Sequence, residues 1–228
     1  MPEHLGDAFI KLFPQRHIPV ILFLILKVGK QMHKQSETDR EDWLTTRLYR
    51  RLIREPSFRD GPLQVHLQPD IASSEVDIDT HTVEGRLDLQ VSCGHGSEVY
   101  FAIEAKRLRV ALPSGFFSGC REYVTEGMMR FVTGQYAPFM QSGAMLGYVY
   151  DGDIKHARTE INRQIQNHAS ALKLNPPQKL SRSRIIPCQS IDETQHDLDG
   201  RYFILYHLLI VVSKDDDFLS DPFPSCTD

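Results

Sequence analysis

Between Gly85 and Leu108 the chain reads GRLDLQVSCGHGSEVYFAIEAKRL. Two runs rich in β-branched and aromatic residues, Arg86 to Ser92 and Glu98 to Lys106, flank a short polar connection that contains glycine. This pattern is typical of two adjacent antiparallel strands. It predicts that Asp88 lies on one strand and Glu104 on its neighbour.

The second of these strands carries its charges in an informative spacing. Because side chains alternate between the two faces of a strand, Glu104 and Lys106 are expected to point the same way, with Ala105 on the other face. The apolar run Phe101 to Ile103 leads directly into these charges, which indicates a central strand whose end is charged. A Glu-x-Lys sequence also occurs as a surface ion pair, and that interpretation stays open for the motif alone. Idle charges at the end of a buried strand are unfavourable, so we expect Asp88, Glu104 and Lys106 to converge.

Two carboxylates beside an amine suit a hard divalent cation. Mg²⁺ or Mn²⁺ binds through one or two carboxylates and takes water and phosphate oxygens at its remaining positions. The ammonium group of Lys106 could then position an attacking water or neutralise charge that builds on a phosphate. The pattern therefore favours metal-dependent hydrolysis of phosphodiester bonds.

These residues make the chain resemble the PD-(D/E)XK, or restriction-endonuclease-like, nuclease superfamily. Asp88 matches the aspartate of that family's second strand, and Glu104-Ala105-Lys106 matches the Glu/Asp-x-Lys of its third strand. Leu87 stands where a proline usually precedes the aspartate. The resemblance covers roughly residues 37 to 151, and its motif is short. It implies Asp88, Glu104 and Ala105 as metal ligands.

The resemblance also implies an α/β fold in which helices flank a mixed central sheet. The family order is helix, three antiparallel strands, helix and a further strand, here with extra terminal elements. We expect one nuclease-like domain over residues 1–213, followed by a disordered acidic tail at 214–228. Within the domain, residues 1–36 form a helical extension, 37–151 the core, and 152–213 a final helix and strands.

Family members often carry an acidic residue on the first helix. Cap residues Ser36 to Asp39 precede a predicted helix from about Arg40 to Arg54, which ends before Pro56. One stripe of this helix holds Glu41, Leu44, Thr45, Leu48 and Leu52. Glu41 is therefore predicted to face inward as a fourth catalytic residue. The alternative is that Glu41 only stabilises the helix N-terminus through the macrodipole.

The second helix of the family carries a polar or basic residue. It is predicted here from about Cys120 to Tyr136, and Tyr123, Arg130 and Gln135 are candidates for contacts with nucleic acid. Arg130 is preferred for a phosphate contact. The alternatives are a contact through Glu126, or an ion pair between Glu126 and Arg130 one turn apart.

Other elements follow from apolar patterns. The strands predicted outside the motif are Gln64–Leu67, Gly143–Tyr150, Arg184–Gln189 and Arg201–Val212. A helix is predicted from Ile154 to Leu172, with His168 at its end or at the edge of the core. His196 and His207 could assist proton transfer, although a histidine in an apolar strand is more often structural.

Composition limits the class of protein. The chain has 228 residues, of which 41% are hydrophobic, and a formal net charge of −4. This charge gives no overall attraction to nucleic acid, but a local basic groove can coexist with catalytic carboxylates. The cysteines are widely spaced and form no Cys-x-x-Cys pair, which argues against zinc and disulfides and predicts a cytoplasmic location. They are Cys93, Cys120, Cys188 and Cys226.

The apolar run Ile18 to Leu26 is too short for a membrane segment. Pro19 interrupts it and Lys27 closes it, so it falls short of the roughly 20 residues that a membrane span requires. We expect a buried helix with no membrane contact, and a partner-binding surface is the alternative.

The sequence as a whole predicts a Mg²⁺- or Mn²⁺-dependent endonuclease. DNA is favoured over RNA as substrate because most proteins of the family that it resembles act on DNA. No recognition module is visible, so we expect control by a regulatory or targeting protein, as in antiviral defence effectors that resemble this chain. A homo-oligomer is also compatible. The alternative is a non-catalytic binding or assembly subunit that retains the fold, against which the intact Asp88, Glu104 and Lys106 argue.

Overall fold

A seven-stranded mixed sheet organises the chain, and helices cover both of its faces. The computed structural model describes residues 13–72, 83–94, 99–138, 140–186 and 190–212. Helices α1 to α3 are Ile18–Gly29, Glu41–Leu52 and Pro56–Arg59, after a short 3₁₀ turn at Gln15–His17. Helix α4, Cys120–Glu122, continues through a π-helical segment, Tyr123–Met128, into α5, Met129–Val132, and α6 is Ile154–Asn167.

Eleven strands are present among the described residues. In chain order β1 to β11 are Leu63–Leu67, Asp70–Ala72, Val83–Arg86, Leu89–Cys93, Tyr100–Leu108, Val110–Leu112, Gly115–Phe117, Ser142–Val149, Ser181–Arg182, Ile191–Leu198 and Arg201–Val211. The large sheet has the order β1-β4-β5-β8-β11-β10-β9, and two small sheets pair β2 with β3 and β6 with β7. Strands β5, β8 and β11 run parallel, and all other pairs are antiparallel.

Helices α1 and α2 pack on one face of the sheet. Gly29 of α1 lies directly against Ile210, and Thr45 Oγ1 of α2 is 3.2 Å from the Tyr148 hydroxyl. Ile210 and Tyr148 are register partners in β11 and β8, so both helices contact the same face. The apolar run that begins at Ile18 is thus the buried helix predicted from the sequence, with eight of its twelve residues inside.

The π-helical segment and α5 pack on the opposite face. Gly127 lies against the Met145 side chain, and Phe131 lies against Gly143. The Tyr123 hydroxyl hydrogen-bonds to His207 Nδ1 at 2.9 Å, and His207 is the register partner of Met145. Residues of β8 and β11 with odd numbers therefore face this layer, and those with even numbers face α1 and α2.

The mixed α/β fold predicted from the sequence is confirmed. A first helix (α2), three antiparallel strands (β1, β4 and β5), a second helix and a further strand (β8) follow in that order. Strand β8 pairs with β5 in parallel, as a crossover through the intervening helix allows. No helix among the residues that the structure describes is long and apolar enough to cross a membrane.

Several predicted boundaries were wrong. The run from Arg86 to Ser92 is broken, because Leu87 and Asp88 form a bend between β3 and β4. In this bend Gln68 N donates to Asp88 O at 3.0 Å. The predicted cap residues 36–39 do not cap α2, whose N-cap is Arg40 and has no capping hydrogen bond from its side chain. The second helix ends at Val132 rather than at Tyr136.

The C-terminal strands also differ from the prediction. The described residues of the predicted strand 184–189 are not in a strand, and residues 187–189 lie outside the described ranges. Strand β10 instead forms a hairpin with β11 through Asp199 and Gly200, whose φ angles are +57° and +86°. An Asp-Gly pair is the sequence signal for such a turn. The predicted tail 214–228 lies outside the described residues.

Two buried histidines are linked in a continuous hydrogen-bond chain. His196 Nδ1 contacts Leu172 O at 2.8 Å, Thr194 Oγ1 lies 2.8 Å from His196 Nε2 and 2.9 Å from His207 Nε2, and Tyr123 completes the chain. A neutral tautomer of each ring satisfies all of these contacts. Burial lowers the pKa of His207 to about 3 and that of His196 to about 4. Both histidines are therefore structural.

These histidines make stability depend on pH. In the unfolded chain each takes up a proton near its ordinary pKa of 6.5, whereas in the folded protein it stays neutral down to about pH 4 or 3. The free energy of unfolding should therefore be highest above pH 6.5 and decrease as the pH falls below it. The two histidines together should lower it by up to about 2.7 kcal/mol per pH unit. Urea unfolding of the wild type and His207→Gln from pH 7.5 to 4.5 tests this, and equal slopes would contradict it.

Gly119 brings the start of the second helix against β5. Its φ is +69°, and a Cβ there would collide with the Arg107 carbonyl oxygen. Gly119→Ala should therefore cost more than the about 1–2 kcal/mol of a left-handed backbone. Gly200→Ala is the matched control, because Gly200 has φ +86° but open space around it. Chemical denaturation of both variants measures the difference, and equal losses would show that the close approach to Arg107 carries no cost.

Candidate functional site

The predicted catalytic residues meet beside the second half of β5, past Ile103, where the pairing of β5 with β4 ends. Glu104 and Lys106 share a face of this strand, as predicted, and Lys106 Nζ lies 2.7 Å from Glu104 Oε1. Glu41, the first residue of α2, reaches the same amine, with Oε1 3.3 Å from Nζ. Helix α2 packs on the opposite face of the sheet, and the Glu41 carboxylate reaches Lys106 along the edge of β5 that β4 leaves unpaired beyond Ile103. Lys106 thus contacts carboxylates from two elements.

The Glu104 carboxylate is buried and has an asymmetric environment. Its residue is 1% exposed. The oxygen Oε1 accepts from Lys106 Nζ and from Arg130 Nη1, the latter at 2.6 Å. The other oxygen, Oε2, accepts no hydrogen bond from the described residues. A buried carboxylate oxygen with no hydrogen-bond partner raises the free energy of the folded protein. A cation or hydrogen-bond donor bound at this oxygen would remove that cost.

Asp88 lies beside this pair. Its Oδ2 accepts a hydrogen bond from Ala105 N at 2.7 Å, which fixes the bend before β4 against β5. Burial raises the pKa of Asp88 well above its usual range, and the negative charge of Glu104 raises it further. The negative charges of Asp88 and Glu104 therefore repel each other in a site where solvent screens them poorly.

Glu41 faces inward rather than capping its own helix. Its Oε2 accepts from Arg107 N at 2.9 Å, while Oε1 contacts Lys106. Burial raises the pKa of Glu41, and the positive charge of Lys106 partly opposes that effect. The predicted inward orientation is confirmed, and the alternative of a pure macrodipole role does not account for these contacts.

Lys106 stays protonated in this environment. Burial by itself lowers the pKa of Lys106, but the charges of Glu104 and Glu41 more than offset it, so the pKa lies above its usual value. The amine therefore acts as a fixed cation. It also donates to Ala105 O at 3.0 Å.

Arg130 lies at the site, but it does not form the ion pair with Glu126 that the sequence spacing allowed. Its ion pair is with Glu104, 26 positions away, and not with Glu126. Its Nη1 also donates to the Tyr136 hydroxyl at 2.9 Å, and that hydroxyl donates to Arg86 O at 2.6 Å. Burial raises the pKa of Tyr136 to about 12, so the hydroxyl keeps its proton. Sequence reasoning missed Tyr136, which carries no motif.

The other two predicted contact residues are Tyr123 and Gln135. Tyr123 is fully buried and bonded to His207, so the structure does not bring it to a surface where it could contact nucleic acid. Gln135 lies beside β3, where a Cβ on Gly85 would be 2.8 Å from its Nε2. Arg130 therefore reaches the site, whereas Tyr123 does not.

A cavity of ≈ 330 Å³ opens onto these groups. Asp88, Glu41 and Lys106 line it together with the second helix. The other lining residues are Arg40, Asp42, Arg107, Phe117, Glu122 and Glu126. The charged cluster is therefore accessible to a small ligand rather than sealed in the core.

The oxygen groups fit a divalent cation only with added ligands. Within the described residues, no group of three or more His, Cys, Asp and Glu side chains could hold a metal ion by itself. Asp88, Glu104 and the Ala105 carbonyl are hard oxygen donors, which suits Mg²⁺ or Mn²⁺ completed by water and phosphate. The unpartnered Glu104 Oε2 and the crowded carboxylates fit such an ion.

Comparison of this chain with protein-family models, curated proteins and solved structures found no match.

The pairing of Glu104 with Lys106 should be measurable as a coupling free energy. In a double-mutant cycle with Glu104→Gln and Lys106→Met, each single variant leaves one buried charge short of a partner, and the double variant removes both. We expect urea unfolding to give a coupling of about 1–3 kcal/mol. The control cycle is Lys173→Met with Asp199→Asn, an exposed pair 2.8 Å apart. Similar coupling in the two cycles would contradict the account.

Proposed function

We propose that this protein is a metal-dependent nuclease that hydrolyses phosphodiester bonds. The observation that carries the proposal is the Glu104 carboxylate, which is buried, bound by Lys106 and Arg130 through one oxygen, and unpartnered at the other among the described residues. Asp88 stands beside it with a raised pKa. Asp88, Glu41 and Lys106 line the cavity, and Glu104 binds Lys106 directly behind them. This cluster suits the binding of an anionic substrate together with a divalent cation.

The proposed ligands of Mg²⁺ or Mn²⁺ are Asp88, Glu104 and the Ala105 carbonyl. When bound, such an ion lowers the pKa of water and stabilises negative charge on a phosphate. Lys106 holds a permanent positive charge at the cavity and stabilises the charge that develops on phosphorus oxygens during in-line attack by water. Because its amine stays protonated, Lys106 is an electrostatic group and not the general base.

Glu41 and Arg130 complete the proposed site. Glu41 anchors the Lys106 amine from α2, at 3.3 Å, and so keeps it pointed at the carboxylates. The Arg130 side chain is 35% exposed, so its guanidinium can reach a phosphate while it contacts Glu104. The Tyr136 ring packs against Arg130, and the guanidinium carbon of Arg130 lies 5.4 Å from the ring centroid.

The order of elements around the site supports the resemblance to restriction-endonuclease-like nucleases. DNA is the preferred substrate by that analogy. We also propose a cytoplasmic setting and control by a partner protein, as expected of a defence effector. Cys93 and Cys120, the two cysteines in the described part of the chain, are free thiols.

One observation favours a second function. Lys106 and Arg130 already neutralise much of the charge of Glu104, so the cluster could persist without a metal ion. A non-catalytic binding or assembly subunit with the same fold is therefore the competing proposal.

A cleavage assay separates the two functions. The full chain is incubated with Mg²⁺ or Mn²⁺ and with supercoiled, linear and single-stranded DNA and RNA. Glu104→Ala and Lys106→Ala should each lower the rate about 100-fold or more, because each removes a group that acts on the transition state. Lys173→Ala, at an exposed ion pair, should retain full activity.

Cleavage that persists in EDTA or in Glu104→Ala would rule out the proposed mechanism. Binding of nucleic acid without cleavage of any substrate, with or without a co-purified partner, would instead support the binding subunit.

A further inference from the structure

A second cavity adjoins the candidate site on the outer side of α2. It has a volume of ≈ 600 Å³. We call it the Trp43 groove, and its residues used below are Asp39, Arg40, Asp42, Trp43, Arg47, Arg50 and Gln68. None of the proposed catalytic residues lies in it, so the proposed nuclease chemistry leaves its role unexplained.

The groove and the site cavity are adjacent. Arg40 and Asp42 line both cavities, at the start of α2. On the other wall, the backbone N–H of Gln68 donates to Asp88 O at 3.0 Å, so the groove is anchored to the bend that carries a proposed metal ligand. A chain molecule bound at the site would therefore pass next to the groove.

The groove contains a built stacking platform. The Arg47 guanidinium carbon lies 4.5 Å from the centroid of the Trp43 ring, and Arg47 Nη1 donates to His33 O at 2.8 Å. The guanidinium plane is thus fixed by a ring on one side and by a carbonyl at its edge. Aromatic rings and guanidinium planes are the surfaces on which unstacked nucleobases bind.

The charges of the groove suit phosphates beside that platform. No ion pair between described residues involves Arg47 or Arg50. Arg40 contacts Asp42 at 3.5 Å, but both side chains are about half exposed or more, so this pair is weak. Arginines with no buried acidic partner can neutralise the phosphates of a nucleic-acid backbone. Three arginines against Asp39 and Asp42 leave the lining of the groove net positive in a chain of net charge −4.

We propose that the Trp43 groove binds an unpaired nucleotide of single-stranded nucleic acid next to the bond at the catalytic site. The base stacks on the Trp43–Arg47 platform, and Arg40 and Arg50 contact flanking phosphates. In a duplex the faces of the bases are covered by their neighbours, so the platform selects single strands or unpaired flanks. This inference rests on the proposed nuclease function and narrows its substrate class.

Trp43 provides a direct signal, because it is the only tryptophan of the chain. The metal-free full-length protein is titrated in EDTA with oligothymidylate, oligouridylate and a duplex of equal length. Single strands should quench the Trp43 fluorescence to saturation, with an affinity about tenfold or more above that for the duplex, as expected for one stacked base. The DNA and RNA arms show which sugar is preferred.

Arg50→Ala should weaken binding of the single strand several-fold and reduce the slope of log affinity against log salt by about 0.7. Arg51→Ala is the matched control, since it removes the same charge from the same helix but outside the groove. Equal effects of the two variants, or equal affinity for the duplex, would overturn the proposal.

The outcome is independent of cleavage. Active wild-type protein whose Trp43 fluorescence responds to no nucleic acid would overturn the groove and leave the nuclease function intact. Saturable quenching that depends on Arg50, in a protein that cleaves nothing, would support the groove and contradict the nuclease function.

Discussion

The Glu104 carboxylate lies inside the protein at 1% exposure, and a buried carboxylate is tolerated only where cations and donors stand at fixed positions. Lys106, on the same strand, and Arg130, on the helix that packs on that face of the sheet, both form ion pairs with Glu104. Glu41 then holds Lys106 from α2. One desolvated charge thus ties the central strand to elements of both helical layers.

The second helix must come close to β5 for Arg130 to reach Glu104. Gly119 permits the backbone to approach Arg107, and Gly127 permits the π-helical segment to lie against Met145 and close to Glu104. The π-helical turn carries an extra residue, and such turns occur often at functional sites. It allows Tyr123 to point into the sheet toward His207 while Arg130, two short turns later, reaches the carboxylates.

The convergence of Asp88, Glu104 and Lys106 could be predicted because it depends on strand alternation and on the pairing of neighbouring runs. The inward orientation of Glu41 followed from regular α-helical spacing. Tyr123 could not be placed correctly, because a regular 3.6-residue period puts Tyr123 and Arg130 on one helix face, and this period fails across a π-helical segment. Strand β10 was missed because buried polar residues, Thr194 and His196, obscure its apolar pattern. Thr194 and His196 form hydrogen bonds with residues of other elements, and a local sequence pattern carries no information about such contacts.

The most direct test of a cation site built around buried carboxylates is calorimetric titration of the full chain with Mn²⁺. The account predicts saturable binding that is lost in Asp88→Asn and retained in Asp199→Asn, which removes an exposed carboxylate from the surface pair with Lys173. Absence of saturable binding to the wild type, or equal binding to both variants, would contradict it.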